Sequence, residues 1–174
     1  MFARVICLLI NLNIPRKRLM AISIERKFLV NEAAFESAKN LKLDTFEETI
    51  LQGYLYNGAS RSVRVRIRNN KGKLTFKGAR SLGGMARNEL RLSVPLSFAK
   101  LAINFVGKTI TKTRTYIRYD DVDWVVDKYK DGTMVGKAKV DLHFKDIILP
   151  CWALEEVTGD PKYFTSTLIK QSGL

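Results

Sequence analysis

Acidic and basic residues share one face of a predicted strand near the start of the chain. Successive side chains of a strand point to opposite faces, so Ser23, Glu25 and Lys27 lie together on one of them. Ile24 and Phe28 lie on the other face. An acid and a base on one face do not suit a plain hydrophobic core, but they suit a polar cavity. Glu25 and Lys27 are therefore candidates for binding and catalysis on a polar ligand.

The same arrangement recurs in nearly every predicted strand. The polar positions on these strands are Ser23, Glu25, Lys27, Arg64, Arg66, Thr75, Lys77, Arg87, Glu89, Arg91, Lys112, Arg114, Asp127, Lys137, Lys139, Asp141 and His143. A single charged face is usually solvated, but such repetition predicts a closed barrel with a polar interior. Burying so many like charges would be costly without an anion, and Arg and Lys suit phosphate oxygens. The sequence therefore predicts an interior site for a ligand with several phosphates.

Alternating and turn-forming residues define the elements that must position these side chains. The predicted strands cover residues 21–30, 48–56, 62–68, 73–78, 86–94, 109–119, 124–130 and 134–144. The predicted helices cover residues 31–41, 95–105 and 166–171. Consecutive strands joined by short turns, such as 69–72, indicate an antiparallel sheet. With the helices added, the fold class is α+β.

Composition indicates one basic domain. The chain has 174 residues, which is enough for a single domain with a sizeable core. Its 30 Lys and Arg residues against 17 Asp and Glu give a net charge of +13, which favours polyanionic partners. Two cysteines cannot build a disulfide framework, so we expect a cytoplasmic protein. The single histidine, His143, argues against a zinc or iron site with histidine ligands.

Residues 1–19 differ from the rest of the chain. Residues 2–14 are largely apolar and are followed by a Pro-Arg-Lys-Arg run. The apolar run is too short to span a bilayer, and its basic cluster follows it rather than precedes it, which fits a secretory signal badly. We expect an N-terminal extension over residues 1–19, with translation starting at Met20, and a domain over residues 20–174. A membrane-associated leader is the alternative.

A set of short motifs follows in a fixed order. They are Ser23-x-Glu25-x-Lys27, Gln52-Gly53-Tyr54-Leu55, Val63-Arg64-Val65-Arg66-Ile67, Leu74-Thr75-Phe76-Lys77-Gly78, Lys112-Thr113-Arg114, Trp124-Val125-Val126-Asp127 and Val157-Thr158-Gly159-Asp160. The ordered set resembles the CYTH family, the triphosphate tunnel metalloenzymes, whose opening motif is Glu-x-Glu-x-Lys. The resemblance covers about residues 20–169.

This resemblance implies a closed eight-stranded antiparallel β tunnel, with flanking helices, that binds a triphosphate group. Family members hydrolyse inorganic triphosphate, thiamine triphosphate or nucleoside triphosphates, and some cyclise ATP. Basic residues hold the phosphates, and carboxylates hold Mg²⁺ or Mn²⁺, which orients the attacking group. The implied catalytic residues are Lys27 and Glu25. The implied substrate-binding residues are Lys27, Arg64, Arg66, Lys77, Arg87, Lys112 and Arg114.

The chain departs from the family where the resemblance implies metal binding. Three pairs of acids are expected there, and one acid of each pair survives. The surviving candidate metal ligands are Glu25, Glu89 and Asp141. The lost acids correspond to Ser23, Arg91 and Lys139, of which two are now basic. Added positive charge should weaken a divalent cation, so a preformed two-metal site is not expected.

Two functional hypotheses therefore stay open. One is a weakened triphosphate phosphohydrolase that uses a single Mg²⁺ or Mn²⁺ ion. The other is a catalytically impaired, metal-independent binder of polyphosphate or a nucleotide. Nucleic-acid binding is disfavoured because the basic residues between positions 61 and 73 are not interleaved with aromatic ones. The sequence does not indicate the particular substrate or the oligomeric state.

Overall fold

The computed structural model describes residues 20–41, 45–58, 60–81, 86–140 and 147–171. Its strands are β1 (Met20–Val30), β2 (Phe46–Asn57), β3 (Ser62–Arg68), β4 (Lys71–Ser81), β5 (Ala86–Val94), β6 (Thr109–Tyr119), β7 (Val122–Tyr129), β8 (Met134–Lys139) and β9 (Ala153–Glu156). Its helices are α1 (Glu32–Leu41), α2 (Leu96–Phe105) and α3 (Thr165–Gln171), with a 3₁₀ turn over Pro161–Tyr163.

The strands form one antiparallel sheet in the order β5-β4-β3-β2-β6-β7-β8-β1-β9. Strand β1 divides its pairing along its length. Residues 25–29 pair with β8, whereas residues 20–24 pair with β5 at the far end of that order. Strand β9 also pairs with β1, at Phe28 and Val30. The first strand therefore pairs with three other strands, β5, β8 and β9.

The predicted antiparallel sheet with a few helices is confirmed. Eight of the nine described strands correspond to predicted ones, and β9 was missed because its four residues, Ala153–Glu156, show no alternation of apolar and polar positions. The strand predicted over residues 134–144 ends at Lys139, and residues 141–146 lie outside the described chain. Residues 1–19 also lie outside it. Among the described residues, no helix is long and apolar enough to cross a membrane.

Helices α1 and α2 cover the apolar side of the sheet. Phe35 of α1 packs on Trp152, with ring centroids 5.2 Å apart, and both side chains are almost completely buried. Ala99 of α2 packs on β3 and β4 in a second cluster. Gly72 allows this approach, because an added Cβ would lie 2.7 Å from the Cβ of Ala99. These contacts bury one face of the sheet and leave the charged face for the interior.

Helix α3 packs against the other face of the sheet. Its Leu168 and Ile169 contact a small apolar cluster with Ile110, Tyr129 and Val135. These three strand residues stand two positions from Lys112, Asp127 and Lys137, respectively, and so share the charged face. The C-terminal helix therefore covers one end of the polar interior.

We expect Phe35→Ala to lower the free energy of unfolding by about 3–5 kcal/mol, because it removes a buried ring from the α1 cluster. Phe105→Ala is the matched control, since Phe105 is 72% exposed at the end of α2 and should change stability by less than about 0.5 kcal/mol. Urea denaturation of both variants measures the difference. Equal losses of stability in the two variants would show that Phe35 does not anchor α1 to its apolar cluster.

Candidate functional site

The charged faces of the strands meet around a central cavity of about 580 Å³. Eleven cationic residues line it among the described residues: Lys27, Arg64, Arg66, Arg68, Lys73, Lys77, Arg91, Lys112, Arg114, Lys137 and Lys139. Two carboxylates, Glu25 and Glu89, also line it. Strand alternation accounts for this arrangement, because every second residue of β3, β4 and β6 points to the same side.

The cavity concentrates the positive charge of the protein. Its described lining has nine more cations than acids, against a net charge of +13 for the whole chain. Residues 1–19 contain four further cations and no acid. The rest of the chain therefore carries equal numbers of basic and acidic residues. Such a distribution focuses the field into the cavity and attracts anions to it.

A single buried carboxylate holds three of the cations. Asp127 is 0% exposed and accepts hydrogen bonds from Lys112 at 2.7 Å, from Arg114 at 2.7 and 2.9 Å, and from Lys137. Burial raises the pKa of Asp127, but the three cations outweigh burial and hold that pKa well below the ordinary value. Asp127 is thus ionised and fixes the positions of three ammonium and guanidinium groups.

Two arginines of β3 have unused donors. The Nε atoms of Arg64 and Arg66 are buried and make no hydrogen bond within the described part of the chain. Burial, together with the neighbouring Arg64 and Arg114, lowers the pKa of Arg66 well below its ordinary value. Buried cations with unsatisfied donors are costly, and an anionic ligand would relieve that cost.

Both oxygens of Glu89 are engaged by cations. Lys77 Nζ lies 2.5 Å from Oε1, and Arg91 donates to Oε2 from Nη2 at 2.5 Å and from Nε at 2.9 Å. Burial raises the pKa of Glu89, but the opposite effect of Lys77 and Arg91 is larger and brings that pKa down to about 2. Burial, assisted by Arg64, lowers the pKa of Lys77 to about 7 despite the nearby carboxylate.

Glu25 is surrounded by lysines. Burial raises its pKa, but Lys137, Lys77 and Lys27 together bring the pKa below the ordinary value. Lys139 faces Glu25 across the β1–β8 pair, and Lys137 faces Lys27. This carboxylate therefore lies in a group of four lysines contributed by three strands.

The segment after β9 holds Lys27 in place. The backbone N–H of Lys27 donates to Thr158 Oγ1 at 2.8 Å, and the Lys27 carbonyl accepts from the N–H of Val157 at 2.8 Å. The Nζ atom lies 4.6 Å from the ring centroid of Phe164, which lines the cavity just before α3. Lys27 is thereby directed along the cavity wall.

A second polar cluster contributes further lining residues. Arg68 Nη1 donates to Glu48 Oε1 at 2.8 Å and to the Tyr116 hydroxyl at 3.0 Å, and that hydroxyl donates to Glu48 at 2.5 Å. Glu48 is only 5% exposed. The cluster fixes Arg68 and Tyr116, which line the cavity along with the predicted residues.

Most of the predicted site residues come together in this cavity. Those that line it are Glu25, Lys27, Arg64, Arg66, Lys77, Glu89, Lys112 and Arg114. Arg87 pairs with Ser23 through the backbone of β5 and β1, but the side chains of both lie outside the described part of the structure. Asp141 and His143 lie outside it entirely. The roles assigned to all these residues stay predictions.

Several cavity residues were not predicted as site residues. Lys137 was placed on a polar face but was not included among the ligand-binding groups, and Arg68 continues the alternation of Arg64 and Arg66. Tyr116 stands two positions after Arg114, so its spacing also carried the signal. Phe164 had no such signal, because it reaches the cavity only when α3 folds over its end.

The described carboxylates do not fit a preformed site for Mg²⁺ or Mn²⁺. Such ions bind oxygen ligands whose lone pairs are available. The Glu89 oxygens are taken by Lys77 and Arg91, and Glu25 lies among lysines. No group of three or more His, Cys, Asp or Glu side chains suited to a metal occurs in the described ranges, from which the third predicted ligand, Asp141, is missing.

The fold and cavity define an antiparallel-sheet protein with a cationic interior for anions. The family model described as CYTH domain matches residues 21–158, and the chain belongs to that family. It is 32% identical over 158 residues to an inorganic triphosphatase of Acetivibrio thermocellus, covering 87% of this chain and 95% of that protein.

Solved structures show the same fold. The inorganic triphosphatase NE1496 is 23% identical, with a TM-score of 0.58, and the match covers 84% of this chain and 96% of that one. The PH1012 protein from Pyrococcus horikoshii is 22% identical, with a TM-score of 0.56, and the match covers 69% of this chain and 79% of that one.

We expect Asp127→Asn to destabilise the protein by about 3–5 kcal/mol near pH 7, because three buried cations lose their shared counter-charge. The folded-state pKa of Asp127 lies well below its ordinary value, so the contribution of Asp127 to stability is present above about pH 4 and is lost as the pH falls through the folded-state pKa. The difference in the free energy of unfolding between Asp127→Asn and wild type should therefore become smaller at acidic pH. Urea denaturation from pH 2 to pH 7 tests this, with the exposed Asp123→Asn on the same strand as control.

We expect the affinity of the cavity for a multiply charged anion to fall as the pH rises above about 7. A bound anion raises the pKa of Lys77 from about 7, so binding takes up a proton above that pH, and affinity falls by up to about tenfold per pH unit. Lys77→Arg keeps the charge and should flatten this dependence between pH 7 and 9. Calorimetry measures the affinity of both proteins. The ligand's own titration affects both measurements equally, so the difference between them reports Lys77. If affinity depended on pH identically in the two proteins, Lys77 would not be the group that causes this dependence.

Proposed function

We propose that this CYTH-family protein binds a triphosphate group in its central cavity and hydrolyses inorganic triphosphate. The observation that carries the proposal is the excess of nine cations over acids among the described residues of the cavity lining, combined with the buried Nε donors of Arg64 and Arg66, which have no hydrogen-bond partner there. A chain of phosphates supplies both the negative charge and the acceptor oxygens that these groups require. The 32% identity to an inorganic triphosphatase supports the same substrate.

We further propose that the site is a closed eight-stranded tunnel. The pairing of β1 with both β8 and β5 supports this, since those strands occupy opposite ends of the run from β5 to β8. Strand β9 adds to β1 outside that ring. A closed wall would surround a linear phosphate chain with cations from all sides, which suits a ligand charged along its whole length.

The proposed reaction is attack of water on a terminal phosphorus, which breaks the bridging P–O bond and releases phosphate and diphosphate. Lys27 contacts the phosphoryl group that is transferred, and Glu25, two residues away on the same face, orients the water. Cations deeper in the wall, Arg66, Lys112 and Arg114, neutralise the charge that develops on the departing diphosphate. Any dependence on Mg²⁺ or Mn²⁺ would require that the ion arrive with the substrate, because Glu89 is already paired.

A second candidate function is binding of polyphosphate or a nucleotide without turnover and without metal. The pairing of both Glu89 oxygens with Lys77 and Arg91 favours it, since that carboxylate is then neither a metal ligand nor a base. No nucleic-acid partner is proposed, because the surplus charge lies in the cavity lining and in residues 1–19. A cytoplasmic location stays a prediction from the cysteine content.

We expect wild-type protein to release phosphate from inorganic triphosphate, and Lys27→Ala and Arg66→Ala each to reduce the rate by about 100-fold, because each removes a charge that stabilises the transition state. Lys100→Ala, on the exposed side of α2, is the control and should keep the wild-type rate. The assay uses Mg²⁺, Mn²⁺ and chelator in parallel, together with thermal unfolding in the presence of the ligand.

The outcomes separate the two candidates. Stabilisation of the wild type by triphosphate without phosphate release would favour the binder. Neither stabilisation nor release would overturn both, and unchanged turnover in the Lys27 and Arg66 variants would place the activity elsewhere.

A further inference from the structure

We propose that the protein's own cations take the place of a divalent metal, so that the ligand bound is the metal-free phosphate chain. Arg91 and Lys139 are the residues that specify this form of the ligand, and Mg²⁺ competes with the protein for the ligand instead of assisting its binding. This inference rests on the proposed function, because it concerns the chemical form of the anion that the cavity accepts.

The first step is the geometry at Glu89. Its side chain is 4% exposed, and its two oxygens contact Lys77 and Arg91 at 2.5 Å each. Arg91 itself is 51% exposed and lines the cavity, so its guanidinium contacts Glu89 while part of it still faces the space for the ligand. The buried carboxylate anchors a cation of the protein at the place where it could otherwise have coordinated a metal.

The second step is the register of β5 with its neighbours. Arg91 faces Thr75 across the β4–β5 pair, and Thr75 faces Arg64 across the β3–β4 pair. The three residues form one row, in which the two arginines are separated by about 10 Å at their backbones. A small threonine lies between them, so both long side chains can reach one phosphate chain.

The third step is the register at Glu25. Lys139 faces this carboxylate directly, and Lys137 on the same face of β8 is held by Asp127. Lys27 and Lys77 complete the group around Glu25. A divalent cation placed at Glu25 would meet four ammonium groups, and like charges repel most strongly where water does not screen them.

The fourth step is the difference in exposure between acids and bases. Glu89 is buried and Arg91 and Lys139 are exposed, so the two cations are reached from solvent while the acid beneath Arg91 is not. A phosphate chain that enters the cavity without a bound metal ion meets the fixed positive charge of the protein. The same charge repels a free Mg²⁺ ion and lowers the gain from binding a Mg²⁺-triphosphate complex.

The test compares binding of inorganic triphosphate by calorimetry in chelator and in excess Mg²⁺. We expect wild type to bind in chelator and to bind at least tenfold more weakly in Mg²⁺. The double variant Arg91→Glu, Lys139→Glu should show the reverse order, with binding at least tenfold stronger in Mg²⁺ than in chelator. Both positions are exposed, so the variant should fold, and Lys100→Glu, a charge change of the same kind on α2, should behave as wild type.

A second readout uses Mn²⁺ alone, followed by electron paramagnetic resonance. Wild type should leave millimolar Mn²⁺ unbound, and the double variant should bind it. If the double variant does not fold, Arg91→Gln and Lys139→Gln serve instead, and each should bind inorganic triphosphate more weakly in chelator than wild type does.

The results separate this inference from the proposed function. Wild-type binding that chelator abolishes would overturn the inference and leave the proposed triphosphate site intact, as would tight binding of Mn²⁺ alone by wild type. An absence of triphosphate binding in both chelator and Mg²⁺ would overturn the inference and the proposed function together.

Discussion

Mutual repulsion among cations in one cavity is the constraint on which the rest of this structure depends. Eleven Lys and Arg side chains of the described residues share a space of about 580 Å³, and burial makes each charge more costly. The chain meets that cost with a few deeply placed carboxylates. Asp127 serves three cations at once, and Glu89 serves two. Because these acids hold the cations in position, the wall is organised before a ligand arrives, and the remaining repulsion is what an anion relieves.

The same constraint links the folding of the sheet to the proposed chemistry. The apolar clusters under α1 and α2 cover much of the outer face of the sheet, and the charged side chains at alternate positions of the strands line the interior. Helix α3 covers one end of that interior, and Phe164 before it contacts Lys27. A cavity that is cationic on its walls and covered at one end suits an anion, because partial exclusion of bulk water strengthens the attraction between opposite charges.

The chain belongs to the CYTH family, and the described lining of its cavity combines many cations with two carboxylates. Its described walls carry the cations that a phosphate chain would need, whereas Glu89, one of the predicted metal ligands, is paired with Lys77 and Arg91. An acid replaced by a base does more than delete a ligand, because it brings a charge that itself attracts phosphate. Arg91 illustrates this, since it forms an ion pair with Glu89 and also lines the cavity. In the proposed site, loss of metal coordination and gain of direct anion binding would thus be one change.

The sequence by itself determined the antiparallel sheet, most strand positions and the cationic lining, because strand alternation is a local property that sorts Arg64 and Arg66 from Val63 and Val65 without reference to other strands. It did not determine β9, whose short and exposed strand forms only because β1 offers a free edge at Phe28 and Val30. Nor did it determine that Lys137 joins Asp127 or that Arg91 and Lys77 share Glu89. Those contacts depend on strand register and on which strands pair, which bring residues distant in sequence within hydrogen-bonding distance, and so only the tertiary structure decided them.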